Sequence, residues 1–184
     1  MGAIVLAGAK NWSTSVFLFN VLITLSTTCA FASNGGTTHL VFFSGEVSVR
    51  NSPLTNWQKA EVGQVLPPGL TLKTQAVSSA NILFPDGTQI KLAEDSELTI
   101  KAPKPLAKKA VNSTDLLLAR GKLWGRAKSL PNQLSISTST ATASIRGTEW
   151  EIDATKENSS SVMVLSGKVE LSNSLGSVVL GKNM

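Results

Sequence analysis

Three observations predict an all-β fold. Hydrophobic residues make up 42% of the 184 residues, and they are mostly Val, Leu, Ala and Ile, because aromatic residues account for 5%. Fourteen glycines and seven prolines interrupt the apolar residues. From Leu40 onward, short apolar runs alternate with turn signals about every ten residues, which is typical of an all-β domain and not of alternating strands and helices.

The N-terminal segment predicts export. Val16–Leu25 is an apolar run broken by two polar residues, and Ala30-Phe31-Ala32 has the small-x-small pattern that signal peptidase recognises. We therefore expect a signal peptide over residues 1–32 and a mature domain over residues 33–184, located in the periplasm, secreted or held at the cell surface. The alternative is that Val16–Ala32 remains as a membrane anchor, but a spanning helix needs about 20 apolar residues.

The mature chain then reads as a series of short strands. The best defined junction is Pro85-Asp86-Gly87-Thr88, because proline presets φ, aspartate suits the next position and glycine accepts a positive φ. It predicts a tight turn, and the alternation of apolar and polar residues on either side predicts that one face is buried. The predicted strand runs are Leu40–Phe43, Glu46–Arg50, Leu70–Thr74, Asn81–Phe84, Gln89–Leu92, Glu97–Lys101, Lys122–Trp124, Gln133–Ile136, Glu149–Ala154, Val162–Leu165, Val169–Ser172 and Ser177–Leu180.

A short pattern of glycine, charge and aliphatic residue recurs along these runs. It occurs at Gly45-Glu-Val, Gly121-Lys-Leu and Gly167-Lys-Val. Each copy predicts a glycine turn that leads into a strand. Recurrence of one strand-turn unit is expected of a β-helix-like solenoid, and similar hairpins in a β-sandwich would give the same pattern. Both architectures therefore stay open at this point.

The main charge asymmetry lies between Lys101 and Lys128, a segment that contains eight basic residues and one acidic residue, Asp115. Such a run is commonly a solvated basic loop. It also predicts contact with an anionic component of the cell envelope, which long-range attraction would favour. Nucleic acid is not expected, since the segment lacks interleaved aromatic residues for base stacking. The candidate residues for an anionic partner are Lys101, Lys104, Lys108, Lys109, Arg126 and Lys128.

The sequence predicts no enzyme. One His and one Cys in the whole chain remove most metal sites and nucleophile–base pairs, so we expect no catalytic residue, cofactor or metal. Three acids, Glu149, Glu151 and Asp153, alternate with Trp150 and Ile152. This alternation predicts an outward polar face over a buried tryptophan.

Several of these features together resemble the FecR domain family. The resemblance covers most of the mature chain and rests on the glycine-led strands, on Pro85-Asp-Gly-Thr and on Ala143-Ser-Ile-Arg-Gly-Thr-Glu-Trp. It implies an extracytoplasmic, β-helix-like domain that binds or transmits a signal without doing chemistry. The residues that carry the family pattern are Asp86, Gly87, Thr88, Gly121, Arg146, Gly147, Thr148 and Gly167, and we interpret them as structural.

The resemblance and the composition predict one function and one alternative. We expect an exported, non-enzymatic module of the bacterial envelope, either standing alone or a fragment of a longer protein, that binds or regulates another envelope protein. The alternative is a structural or adhesion protein that binds anionic glycan through residues 101–128. The membrane would be contacted through the N-terminal segment alone, if that segment is not cleaved.

Overall fold

The computed structural model describes residues 36–102, 113–127 and 133–182. In these ranges the chain forms twelve strands and no helix, which confirms the all-β prediction. The predicted signal peptide lies outside the described residues. The strands are β1 His39–Ser44, β2 Val47–Arg50, β3 Gln58–Lys59, β4 Thr71–Thr74, β5 Ser79–Leu83, β6 Gln89–Leu92, β7 Glu97–Ile100, β8 Ser113–Arg126, β9 Gln133–Ser137, β10 Thr142–Ala154, β11 Ser161–Asn173 and β12 Gly176–Leu180.

All of the described strands belong to one open, mixed sheet. Its main path runs β12-β11-β10-β9-β8-β7-β4-β2-β3, while β1, β5 and β6 join it through pairing of β6 with β8. Within the described residues β8 and β9 are parallel, and the other ladders are antiparallel. The finer choice between a β-helix-like solenoid and a β-sandwich stays a prediction.

Three long strands divide this sheet into two halves: β8 and β10 exchange pairing partners part-way along, and β11 pairs with β10 throughout but with β12 only over its C-terminal part. The N-terminal part of β8 pairs with β7 and β9, whereas its C-terminal part pairs with β6 and β10. The first half is formed by β1, β5 and β6, together with residues 121–126 of β8, 149–154 of β10 and 161–166 of β11. The second half is formed by β2, β3, β4, β7, β9, β12 and residues 113–120, 142–146 and 168–173.

Glycines in the left-handed region mark the points where the chain passes between the halves. Gly45 lies between β1 and β2 with φ +78°, and Gly121, Gly147 and Gly167 lie inside β8, β10 and β11 with φ of +96°, +61° and +84°. Residues with a Cβ rarely adopt this conformation, so glycine lets a strand turn a corner and continue. The recurring pattern in the sequence therefore corresponds to a recurring corner, which separates two strands at Gly45 as predicted and lies inside a strand at Gly121 and Gly167.

At two of these corners a buried serine forms hydrogen bonds across the bend: Ser96 beside Gly121 and Ser78 beside Gly45. The Ser96 hydroxyl accepts the Lys122 N–H at 3.0 Å, next to Gly121, and donates to the Glu94 carbonyl at 2.8 Å. Ser78 repeats the arrangement beside Gly45, accepting from the Glu46 N–H at 2.9 Å. At the third copy of the pattern, a Cβ added to Gly167 would lie 2.5 Å from the methyl group of Thr148.

The two halves share one hydrophobic core. Along β2, β5, β7 and most of β10 buried and part-exposed residues alternate, as the period of two requires, and the buried side chains of both halves form a single cluster. Trp150 is its largest member and is fully buried. Its ring lies directly against Gly125, the residue that pairs with it across β8 and β10.

The predicted turn between β5 and β6 is confirmed. Gly87 has φ +82° and donates its N–H to the Phe84 carbonyl at 2.9 Å. The Asp86 carboxylate accepts the Thr88 N–H at 2.9 Å. The Asp86 side chain thus provides the Thr88 N–H with an acceptor within the turn, which explains why aspartate suits this position.

Candidate functional site

The family-pattern residues lie at strand junctions. Gln89 and Glu149 pair with Arg126 from opposite sides of β8, so the threonines that precede them, Thr88 and Thr148, come to the same end of that strand. Both threonines are buried, and their hydroxyls have no hydrogen-bond partner among the described residues. Each follows a left-handed glycine. A structural role for these residues stays a prediction.

The remaining family-pattern residues lie on either side of this junction. Gly167 packs on Thr148, and Arg146 is exposed and pairs with Lys168 across β10 and β11. Gly121 lies at the other end of this part of β8, where it pairs with Ala154. These residues therefore define corners along the strands, not one pocket.

The structure describes two of the six basic candidates for an anionic partner. Lys101 follows β7 and donates its backbone N–H to the Asp115 carbonyl, near the start of β8. Arg126 lies at the opposite end of β8 and pairs with Glu149 at 3.1 Å. The other four candidates fall outside the described residues: Lys104, Lys108, Lys109 and Lys128.

The alternating acids of β10 face outward, as predicted, and Trp150 faces inward. Across the ladder, Glu149 contacts Arg126, and Lys122 Nζ lies 3.2 Å from both Glu151 Oε1 and Asp153 Oδ2. The row is therefore a set of mutually neutralised surface charges. Among the described residues no cluster of His, Cys, Asp and Glu is arranged to bind a metal ion.

Hydrogen bonds shift the pKa of two groups in this row. The Thr155 hydroxyl and backbone N–H, at 2.6 and 2.9 Å from Asp153 Oδ1, lower the pKa of Asp153 below its usual 3.8, and Lys122 adds to the effect. Hydrogen bonds to Asp153 and Glu151 raise the pKa of Lys122 above 10.5. The charged forms of both groups are thus the ones that the fold stabilises.

Replacing Asp153 should remove part of the acid sensitivity of folding. Because the pKa of Asp153 is lowered on folding, its contribution to stability is present above about pH 3.8 and is lost as pH falls through the folded-state pKa. We expect Asp153→Asn to lower the free energy of unfolding at pH 7 by about 0.5–1 kcal/mol. The further loss of stability below pH 4 should also become smaller.

Urea unfolding at pH 7 and pH 3 measures this difference. Glu157→Gln is the matched control, since Glu157 is exposed and forms no ion pair with the described residues. An Asp153→Asn variant with the same pH dependence as the wild type would contradict the assignment.

A stripe of side chains crosses the outer face of the first half. Ladder pairing connects Phe42 to Asn81, Asn81 to Lys91, Lys91 to Trp124, Trp124 to Glu151 and Glu151 to Met163. Phe42 and Met163 are 56% and 54% exposed. The outer-face stripe is therefore the set Phe42, Asn81, Lys91, Trp124, Glu151 and Met163, one residue from each of six neighbouring strands.

A cleft of about 340 Å³ opens on this stripe. A register shift in β1 between Leu40 and Phe42 leaves Val41 at its rim, 43% exposed. Sequence analysis did not predict this cleft, because its walls come from β1, β5, β6 and β8, and the pairing of β1 with β5 and of β6 with β8 joins strands that are distant along the chain. The cleft is lined by Val41, Asn81, Ile82, Leu83, Gln89, Ile90, Lys91 and Trp124.

Comparison with known proteins decides the family. Residues 70–170, more than half of the chain, match the family described as FecR protein. The chain belongs to the FecR family. The matched region begins just before β4 and ends within β11, so it includes the Arg146-Gly147-Thr148 corner and the cleft walls from β5, β6 and β8.

The FecR fold also has solved relatives. Two crystal structures of a candidate anti-sigma factor from Parabacteroides distasonis, at 1.65 and 2.50 Å resolution, superpose with a TM-score of 0.52. Their identity to this FecR chain is 16%, and the match covers 61% of this chain and 51% of theirs, so the likeness concerns the fold. A search of curated proteins gave no match.

The described residues of this FecR chain include no membrane-spanning helix. No helix there combines the length and the apolar character that crossing a bilayer requires.

Proposed function

We propose that this chain is an exported, non-enzymatic regulatory module of the cell envelope that acts by binding another envelope protein. The match of residues 70–170 to the FecR family carries this proposal. The candidate anti-sigma factor that shares its fold supports a role in signalling. The apolar run at Val16–Leu25 and the cleavage pattern ending at Ala32 support export.

A protein partner is favoured over an anionic glycan. The two basic candidates that the structure describes do not form a cluster: Lys101 and Arg126 lie at opposite ends of β8, and Arg126 is already paired with Glu149. A polyanion gains most from several unpaired cations on one surface, because attraction grows with local charge density. The outer face of the first half instead presents aromatic and Met side chains, which are enriched at protein interfaces.

Export can be tested by expressing the chain with its own N-terminus in a bacterial host. Intact mass and cell fractionation should find a species that starts at Ser33 in the periplasmic or extracellular fraction. A full-length species in the membrane fraction would contradict cleavage and would make Val16–Ala32 an anchor.

Regulation can be tested by deleting the gene in the native host and comparing transcripts with a complemented strain. We expect a small, defined set of transcripts to change and to be restored by the wild-type gene. An unchanged transcript profile, together with salt-sensitive envelope binding that is lost in a Lys104→Gln, Lys108→Gln and Lys109→Gln variant, would favour the glycan alternative.

A further inference from the structure

We infer that the outer-face stripe and its cleft are the docking surface for an extended segment of the partner protein, one that carries apolar side chains and a carboxylate. This inference rests on the proposed function, because it requires that the partner is a protein. The observations that carry it are the alignment of the stripe, its exposed apolar side chains, and one cation beside the cleft that forms no ion pair with the part of the chain that the structure describes.

The stripe is a continuous surface because of ladder register. Residues that face one another in neighbouring strands have their Cβ atoms about 5 Å apart. Asn81, Lys91 and Trp124 are such neighbours, and the inward residues next to them, Ile82, Ile90 and Leu123, are buried in the core. The backbone of the stripe is thus held by a packed sheet, so its order from strand to strand does not depend on a partner.

Three of the six side chains in the stripe are of kinds found at the centre of protein interfaces, and the other three, Asn81, Lys91 and Glu151, are polar. Trp124 lies in the middle, and the exposed Phe42 and Met163 lie towards its two ends. Aromatic residues and Met are enriched at interface centres, and Trp in particular often contributes a large share of binding energy. Val41 extends this apolar surface at the rim of the cleft.

The charges on this face indicate which charge a bound segment would carry. Lys122 is paired with Glu151 and Asp153, and Arg126 with Glu149. Lys91 lines the cleft and forms no ion pair with any described residue. A carboxylate on the occupant would complement it, whereas a basic occupant would place two like charges together.

The cleft also offers a hydrogen-bond acceptor. Asn81 Oδ1 is buried and has no partner among the described residues. A backbone N–H of an extended segment is a suitable donor for such an oxygen. The stripe crosses six strands, and their spacing of about 4.8 Å gives it a length of roughly 24 Å, which an extended peptide of about seven residues would span.

Selection from a displayed library of random twelve-residue peptides, using the purified full chain as bait, tests the inference. We expect enrichment of peptides in which Asp or Glu lies close to Trp, Phe, Leu or Ile. Trp124→Ala and Lys91→Glu should each weaken the binding of the selected peptides at least tenfold, measured by isothermal titration calorimetry.

Trp57→Ala is the matched control. Trp57 also lies partly exposed, but it packs under Arg50 and Lys73 beside the second half, so its removal should leave peptide binding unchanged. Circular dichroism and thermal unfolding check that each variant is folded. Lys91 is exposed and outside the core, so Lys91→Glu remains informative if Trp124→Ala is destabilised.

The outcomes separate this inference from the proposed function. No enrichment, or selected peptides that bind Trp124→Ala and Lys91→Glu as well as the wild type, would overturn the docking surface. So would full complementation of the deletion strain by the Lys91→Glu gene when the wild-type gene restores the transcripts. If deletion changes no transcript, the regulatory proposal fails, while the peptide measurement still decides what the cleft binds.

Discussion

Gly121→Ala is expected to cost about 3–5 kcal/mol of folding free energy, a large share of the stability of a domain this size. Two effects add. Alanine is strained at φ +96°, and its Cβ would stand 2.5 Å from the Cα and Cβ of Ser96. Because Ser96 is fully buried and bonded to Lys122 and Glu94, it has little room to move.

Gly63→Ala is the control that isolates the strain. Gly63 has φ +84°, and a Cβ there would meet no atom within 4 Å. We expect it to cost about 1–2 kcal/mol, the price of the left-handed conformation alone. Urea unfolding of the two variants measures the difference, and equal costs would show that the contact with Ser96 does not limit the corner.

Trp150→Ala should cost about 3–5 kcal/mol, since it empties the largest fully buried side chain of the core. The cavity would open between β8 and β10, at the centre of the first half. Thermal and urea unfolding measure the loss. A cost below about 1 kcal/mol would contradict the tight packing of this core.

The contact between Trp150 and Gly125 can be tested separately by a double-mutant cycle. A Cβ at Gly125 would lie 2.7 Å from ring atom Cε2 of Trp150, so Gly125→Ala should cost about 1–3 kcal/mol through overpacking. In a Trp150→Phe background the ring atoms nearest to Gly125 are gone, so Gly125→Ala should lower the free energy of unfolding by less than it does in the wild type. A coupling energy near zero would show that the sheet accommodates the methyl group by moving.

Local residue chemistry explains which features could be predicted. The Pro85-Asp86-Gly87 turn depends on backbone preferences and on one side-chain bond to Thr88, all within four residues. The inward position of Trp150 follows from alternation along a single strand. The glycine corners could be recognised because a positive φ selects glycine strongly.

The lengths of the strands were predicted less well. The runs Val162–Leu165 and Val169–Ser172 are one strand, β11, and Lys122–Trp124 is the end of β8, which begins at Ser113. The sequence suggested an interruption at each glycine. In the structure each strand continues through its corner: β8 exchanges pairing partners at Gly121, and the β10–β11 ladder resumes with a shifted register on the other side of Gly167.

The sequence by itself determined the all-β class, the turns, the corners and the FecR family, because these depend on short patterns and on their order along the chain. The tertiary structure alone decided the outer-face stripe and the cleft. Phe42 and Met163 are on strands near opposite ends of the described chain, and they share a face because six strands pair in one register. Within the β5–β6 hairpin the turn fixes the register. The pairings of β1 with β5, β6 with β8 and β8 with β10 join strands that are not consecutive along the chain, and no local pattern in the sequence specifies them.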